Sequence, residues 1–222
     1  MTRPRAAAER FVGNMPAELR ARVGPLFSPV MRIEGLSGTV ALTKSEIPIF
    51  TSSNAVSHGP ESDGRPAYCV GVATTKWANQ HGWGARMAGE DADGLVSYLE
   101  KLPPDQPFVH VRGRHTRGNI VARLQVSGHS AREAIVYEQV LQPLSDAAKN
   151  AISREQMVVA PLFSPRMAAQ FANQAPRATS LRVVAMSAAV ANAAQPFTAA
   201  AIAARPDAPA MYDAIADVIS AG

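Results

Sequence analysis

Apolar positions in this chain gather into short continuous runs, at residues 47–51, 67–72, 108–111, 157–163 and 181–186. Strands covered by helices on both faces read in this way, whereas half-exposed strands alternate. Between the runs lie stretches with helical character, at 5–22, 74–81, 92–102, 116–127, 145–153, 165–173 and 208–220. Several carry start signals: Ser164 stands before Pro165 at a first helical position, and Ser145-Asp146 opens another helix. Gly82 and Gly128 fall where helices are expected to end, and Gly84 reads as part of the turn that follows. Segment 57–66 is polar and rich in turn residues, so it reads as a loop. Alternation of strand and helix predicts an α/β fold with parallel sheets.

Two extended segments, 28–34 and 134–141, break the alternation. They enclose a strand–helix series of the length of one small domain, and the flanks taken together would make a second. The chain also echoes itself. Phe50-Thr51-Ser52-Ser53-Asn54-Ala55-Val56 is followed by Tyr68-Cys69-Val70-Gly71-Val72-Ala73-Thr74. Later, Phe163-Ser164-Pro165-Arg166-Met167-Ala168 is followed by Val183-Val184-Ala185-Met186-Ser187-Ala188-Ala189-Val190. Each time a strand ends in hydroxyl residues and runs into a helix, and a second strand does the same. Two related α/β domains are the simplest source of that layout.

Composition narrows the function classes. Hydrophobic residues make up 47 % of the 222 and charged residues 18 %, as in a globular chain with a core. No apolar run approaches the ~20 residues that span a bilayer, and nothing after Met-Thr-Arg-Pro-Arg resembles a secretory h-region. One cysteine, Cys69, excludes an internal disulfide and fits a reducing compartment, so a cytoplasmic protein is expected. Its apolar neighbours make Cys69 a small core residue rather than a reactive thiol. The formal charge of +4 favours an acidic ligand without choosing one. The tightest basic cluster, Arg112, Arg114 and Arg117, has no aromatics interleaved with it, which argues against a nucleic-acid partner. His58, His81, His110, His115 and His129 lack metal-motif spacing, and no glycine-rich phosphate or dinucleotide loop joins a strand to a helix. A phosphoacceptor domain would need an acidic cluster at its strand ends, which is missing.

A series of motifs in order along nearly the whole chain resembles the uroporphyrinogen-III synthase family. The series runs Thr2-Arg3-Pro4, Ser28-Pro29, Ile49-Phe50-Thr51-Ser52-Ser53-Asn54-Ala55-Val56, Val70-Gly71-Val72-Ala73-Thr74, Val111-Arg112-Gly113, Val136-Tyr137-Glu138 and Phe163-Ser164-Pro165. The resemblance implies two parallel-sheet α/β domains joined by a two-stranded β-ladder, with the active site in the cleft between them. Domain one would be 1–27 with 144–222, the ladder 28–35 and 134–143, and domain two 36–133. Two features depart from the family pattern. Ser187-Ala188-Ala189-Val190 stands where the family usually has Gly-Pro-Thr-Thr, and only Met1 precedes Thr-Arg-Pro. Either the start lies upstream, or domain one tolerates a clipped first strand.

The same resemblance implies a substrate, hydroxymethylbilane, with eight carboxylates and an unstable hydroxymethyl group. Loss of that hydroxyl as water leaves an electrophilic azafulvene, and the substituted carbon of the terminal pyrrole attacks it. A spiro intermediate then fragments and recombines to invert the ring, which makes the enzyme a lyase of porphyrin biosynthesis. The substrate's own pyrrole generates the cation, so positioning is the protein's main task and no metal or cofactor is expected. The implied partners are this polycarboxylate and, transiently, the hydroxymethylbilane synthase that hands it over to a monomer. Thr51, Ser52, Gly71, Thr74, Gly113 and Ser164 fall at strand-to-helix turns, where free N–H groups suit carboxylates. Plain N-capping explains each hydroxyl equally well, and Asn54 equally serves its helix start. Tyr137 stands out as a proton donor to the departing hydroxyl, with Thr74 beside it in the catalytic role. Composition alone would read Tyr137 as an aromatic packing the ladder. Arg3 and Arg117 are candidates for bidentate contacts to substrate carboxylates, while Arg112 and Arg114 read as solvated. A non-catalytic tetrapyrrole-binding module of the same descent is the competing expectation.

Overall fold

The computed structural model describes residues 1–38, 40–115, 118–154 and 156–222. Its elements run α1 (Arg5–Gly13), α2 (Ala17–Ala21), β1 (Met31–Gly35), β2 (Ile47–Phe50), α3 (Ser53–His58), β3 (Pro66–Val70), α4 (Gly71–Gln80), β4 (Gly84–Gly89), α5 (Ala92–Leu99) and β5 (Phe108–Gly113). They continue as α6 (Ile120–Val126), β6 (Ala131–Leu141), α7 (Asp146–Ile152), β7 (Val158–Leu162), α8 (Pro165–Ala172), β8 (Leu181–Ala185), α9 (Ala188–Ala193), β9 (Ala199–Ile202) and α10 (Ala208–Ser220). The chain divides into two compact units, Met1–Arg32 with Val140–Gly222, and Ile33–Gln139.

One sheet has the strand order β1-β6-β5-β2-β3-β4 and the other β7-β8-β9. From β6 to β4 every pairing is parallel, as are both pairings of the smaller sheet. The β1–β6 pair runs the other way: Leu36 N–H donates to Val136 O, and Gln142 N–H to Val30 O. The echo seen along the sequence is thus a repeated β-α-β-α-β unit, β2 to β4 in one sheet and β7 to β9 in the other.

In the continuous unit, neighbouring strand residues feed opposite faces of the sheet. Phe50, Val109, Val111 and Val136 pack with Ala55, Val56 and Ala78 of α3 and α4. Ile49 and Phe108 pack with Leu95, Leu99, Ile120 and Leu124 of α5 and α6 on the other face. Each such fully buried side chain contributes about 1.5–3 kcal/mol, so a core on each face explains why these strands read as unbroken apolar runs. The discontinuous unit repeats the scheme, with Leu162 and Val183 against Met167 and Phe171 of α8. On its second face Val184 clusters with Phe11 of α1, Met15 between α1 and α2, and Met211 and Ile215 of α10.

The structure corrects three expectations. Residues 5–22 form two helices, because the chain breaks at Asn14 and restarts after Pro16, the N-cap of α2. Gly84 opens β4 instead of ending a turn, and α4 begins at Gly71, whose φ of +73° lets strand pass directly into helix. Cys69 is fully buried, and burial pushes its thiol up to about 11, so it stays protonated in the core. Among the described residues, no helix is long and apolar enough to cross a membrane.

Candidate active site

Two neighbouring strands of the continuous unit, β2 and β5, end at one place, beside the middle of β6 at Tyr137. After Phe50 the chain leaves β2 through Thr51 and Ser52, and Ser52 becomes the N-cap of α3, its Oγ accepting from Asn54 N–H at 3.1 Å. Beside it β5 pairs with β2 so that Ile49 stands opposite His110. The β5–β6 register shifts between Arg112 and Gly113, which sets Gly113 opposite Tyr137. That shift lays the phenol ring over Gly113: a Cβ there would lie 2.5 Å from the ring's Cε2 and Cζ. The glycine is therefore a packing requirement of Tyr137. The phenol donates to Ser52 Oγ at 3.4 Å, and His58 lies beside the ring at 6.1 Å between centroids.

Thr51, Ser52, Gly113 and Tyr137 line a cavity of about 290 Å³ with Val70, Ala92, His115 and Ile120. Such a volume suits one substituted ring rather than a chain of four, being at the low end for ligand pockets. Ser52 Oγ already accepts two bonds, so its own proton is directed away from them and is available to a ligand. A larger cavity of about 420 Å³ lies in the discontinuous unit, against Met1, Met157 and Ile215. Its walls are mainly aliphatic and hold none of the expected site residues.

The remaining expected residues are distributed as follows. Asn54 and Gly71 open α3 and α4, and Thr74 is buried on α4 outside the lining of the pocket. In the discontinuous unit Arg3 stacks on Phe163, 4.4 Å from its ring centroid, and Ser164 follows as the N-cap of α8. Burial and the charge of Arg10 lower the Arg3 guanidinium, with Tyr212 opposing, yet an arginine stays charged. The unit thereby brings Arg3 and Ser164 to the carboxyl end of β7. Ser187, at the turn that departs from the family pattern, caps α9 through Val190 N–H. Arg117 lies outside the described residues.

Of the two arginines expected to be solvated, Arg114 is exposed, whereas the Arg112 side chain is only 12 % exposed. Arg112 of β5 pairs with Glu133 of β6 at 2.5 Å, and Arg114, just past β5, pairs with Glu138 of β6 at 2.8 Å. The expectations also passed over His110, which is 1 % exposed and sits with Nε2 3.2 Å from Thr51 Oγ1. Burial pushes its imidazole down to about 4, with Arg112 adding to the effect and Glu133 opposing it. Its one sequence signal is a polar residue inside the apolar run Phe108-Val109-His110-Val111. Among the described residues, no three His, Cys, Asp or Glu side chains come together as metal ligands.

The sequence model of the family described as Uroporphyrinogen-III synthase HemD matches residues 17–213. The chain belongs to the uroporphyrinogen-III synthase family. Solved structures carry the same fold. The uroporphyrinogen-III synthetase of Helicobacter pylori is similar with a TM-score of 0.64 at 19 % identity, over 89 % of this chain and 97 % of that one. A mutant uroporphyrinogen III synthase of Thermus thermophilus gives 0.52 at 11 % identity, over 98 % and 96 %. Comparison with curated proteins gives no match. The hydroxyl-lined pocket lies outside the carboxyl ends of β2 and β5, the kind of place where open parallel sheets collect ligands.

Proposed function

We propose that this chain is a lyase that closes hydroxymethylbilane into uroporphyrinogen III, with loss of water and inversion of the terminal pyrrole. The observation that carries the reading is the convergence of the Tyr137 phenol with the Thr51 and Ser52 hydroxyls on one small pocket. In the proposed reaction the C–O bond of the hydroxymethyl group breaks as the Tyr137 phenol gives its proton to the departing oxygen; water leaves, and the phenolate takes back the proton that the pyrrole N–H loses as the azafulvene forms. The azafulvene so formed is attacked by the substituted carbon of the terminal pyrrole. Ser52 holds the phenol until substrate arrives; at 3.4 Å that bond is long and is easily exchanged.

The substrate carboxylates call for hydrogen-bond donors. Thr51, Ser52, the amides opening α3 and α4 at Asn54 and Gly71, and Arg117 are assigned to them from domain two. Arg3 and Ser164 are assigned from domain one. We place the active site in a cleft between domains bounded at 1–27 with 144–222 and at 36–133, a division supported by the two compact units. Thr74, on α4, keeps the catalytic part that the family resemblance implies for it. A monomer in the cytoplasm, receiving its substrate from hydroxymethylbilane synthase, completes the reading.

The test is to supply freshly made hydroxymethylbilane and separate the oxidised porphyrin isomers. Type III product above the spontaneous background is expected; type I alone would sink the proposal.

A further inference from the structure

We propose that His110 is a positioning residue that commits the Thr51 hydroxyl to donating into the pocket. The proposal rests on reading that pocket as the substrate site. His110 stands on β5, opposite Ile49 of β2 and Glu133 of β6, with its imidazole against Thr51, which lines the pocket. Its Nε2 lies 3.2 Å from Thr51 Oγ1, while its Nδ1 is buried and has no hydrogen-bond partner.

A neutral imidazole carries one N–H, and the two tautomers give Thr51 opposite characters. With the proton on Nδ1, a buried N–H would have no acceptor, and Thr51 would spend its own proton on Nε2. The hydroxyl would then offer the pocket only lone pairs. With the proton on Nε2, the ring donates to Oγ1, Nδ1 remains a bare acceptor, and the Thr51 proton is directed elsewhere. Orphaned buried donors are rarer than under-used acceptors, so the second arrangement is favoured. An imidazolium is disfavoured as well, since it would strand a charged N–H at Nδ1 in the interior. Burial and the neighbouring Arg112 charge hold the ring neutral, and Glu133 offsets this only in part. Thr51 therefore presents a proton to the ligand, which suits a carboxylate or a departing hydroxyl oxygen.

The first measurement is a long-range nitrogen–proton spectrum of the intact protein near neutral pH, with His110 assigned by comparison with His110→Gln. A protonated Nε2 and a bare Nδ1 are expected; a protonated Nδ1 overturns the proposal. The second is kinetic, with folding checked by thermal melts. His110→Leu should raise KM for hydroxymethylbilane about tenfold, the scale of a lost bond to a charged group, with a smaller fall in kcat. His110→Gln, whose amide can reach the Nε2 position, should restore most of that loss. In a Thr51→Val background, His110→Leu should change KM no further, and an additive loss would overturn the proposal. If the unaltered protein makes no type III isomer, the substrate assignment fails, while the tautomer still decides the Thr51 hydrogen bond.

Discussion

At the scale of single residues, Tyr137 and Gly113 act as one device. The ring is 4 % exposed and rests on a backbone that has no room for a Cβ. Tyr137→Phe removes only the hydroxyl, so its melting temperature should stay within a few degrees while kcat falls about tenfold or more. An unchanged kcat in isomer-resolved turnover would remove the phenol from the mechanism. Gly113→Ala attacks the same device sterically. The ring must move, at a cost of about 1–3 kcal/mol, and kcat should fall comparably. Added to Tyr137→Phe, it should lower kcat little further, because residues that act through one group are not additive. Much of the candidate site was legible in the sequence because Thr51, Ser52 and Gly113 sit at strand ends, where hydroxyls and glycine interrupt apolar runs, whereas Tyr137, inside β6, stood out only through the family resemblance. His110 was not, because a histidine inside such a run looks like any core residue. What marks it is a partner 59 positions away, a distance that only the fold closes.

Among elements, the five apolar runs are all strands, yet β4 and β9 left no such trace. Both are edge strands, and Gly84–Gly89 and Ala199–Ile202 have largely exposed or half-exposed positions. An edge strand needs no continuous apolar run, and the alanines of β9 carry no β-branched signal. Strand placement also depends on a charge pair that sequence patterns do not disclose. Glu46, just before β2, takes a two-pronged bond from Arg132 of β6, at 2.5 and 2.9 Å, and accepts from Thr43 N–H. Arg132 holds the carboxyl down to about 2, against the opposing effect of burial. Because the folded value lies below the unfolded one, this stabilisation is complete above pH about 4.5 and is lost as pH falls towards 2. Arg132 is half-exposed, so solvent screening keeps the contribution near about 1 kcal/mol. Glu46→Gln should therefore melt lower than the unaltered chain at pH 7, with the difference shrinking or vanishing near pH 2.5. A constant difference across that range would show that the charge is not the cause.

For the whole molecule, the decisive fact is that one compact unit is continuous and the other is not. The continuous unit has a core on each face of its sheet, built from its own residues. Residues 33–139 expressed alone should unfold in one cooperative thermal transition and retain the Thr51–His110 bond. They should yield only background type I product, because the proposed site draws on Arg3 and Ser164 of the other domain. A non-cooperative melt would show that the unit depends on its flanks.

The discontinuity also has a consequence during synthesis. Phe11, Met15 and Leu19 pack on Met211 and Ile215 of α10, and Tyr212 donates to Phe11 O at 2.7 Å. At about 5–20 residues per second, the ribosome delivers α10 roughly 10–40 s after α1. The apolar face of the first two helices must wait for that interval while the continuous unit emerges and folds behind it. Final packing of the N-terminal helices therefore waits until α10 has been made.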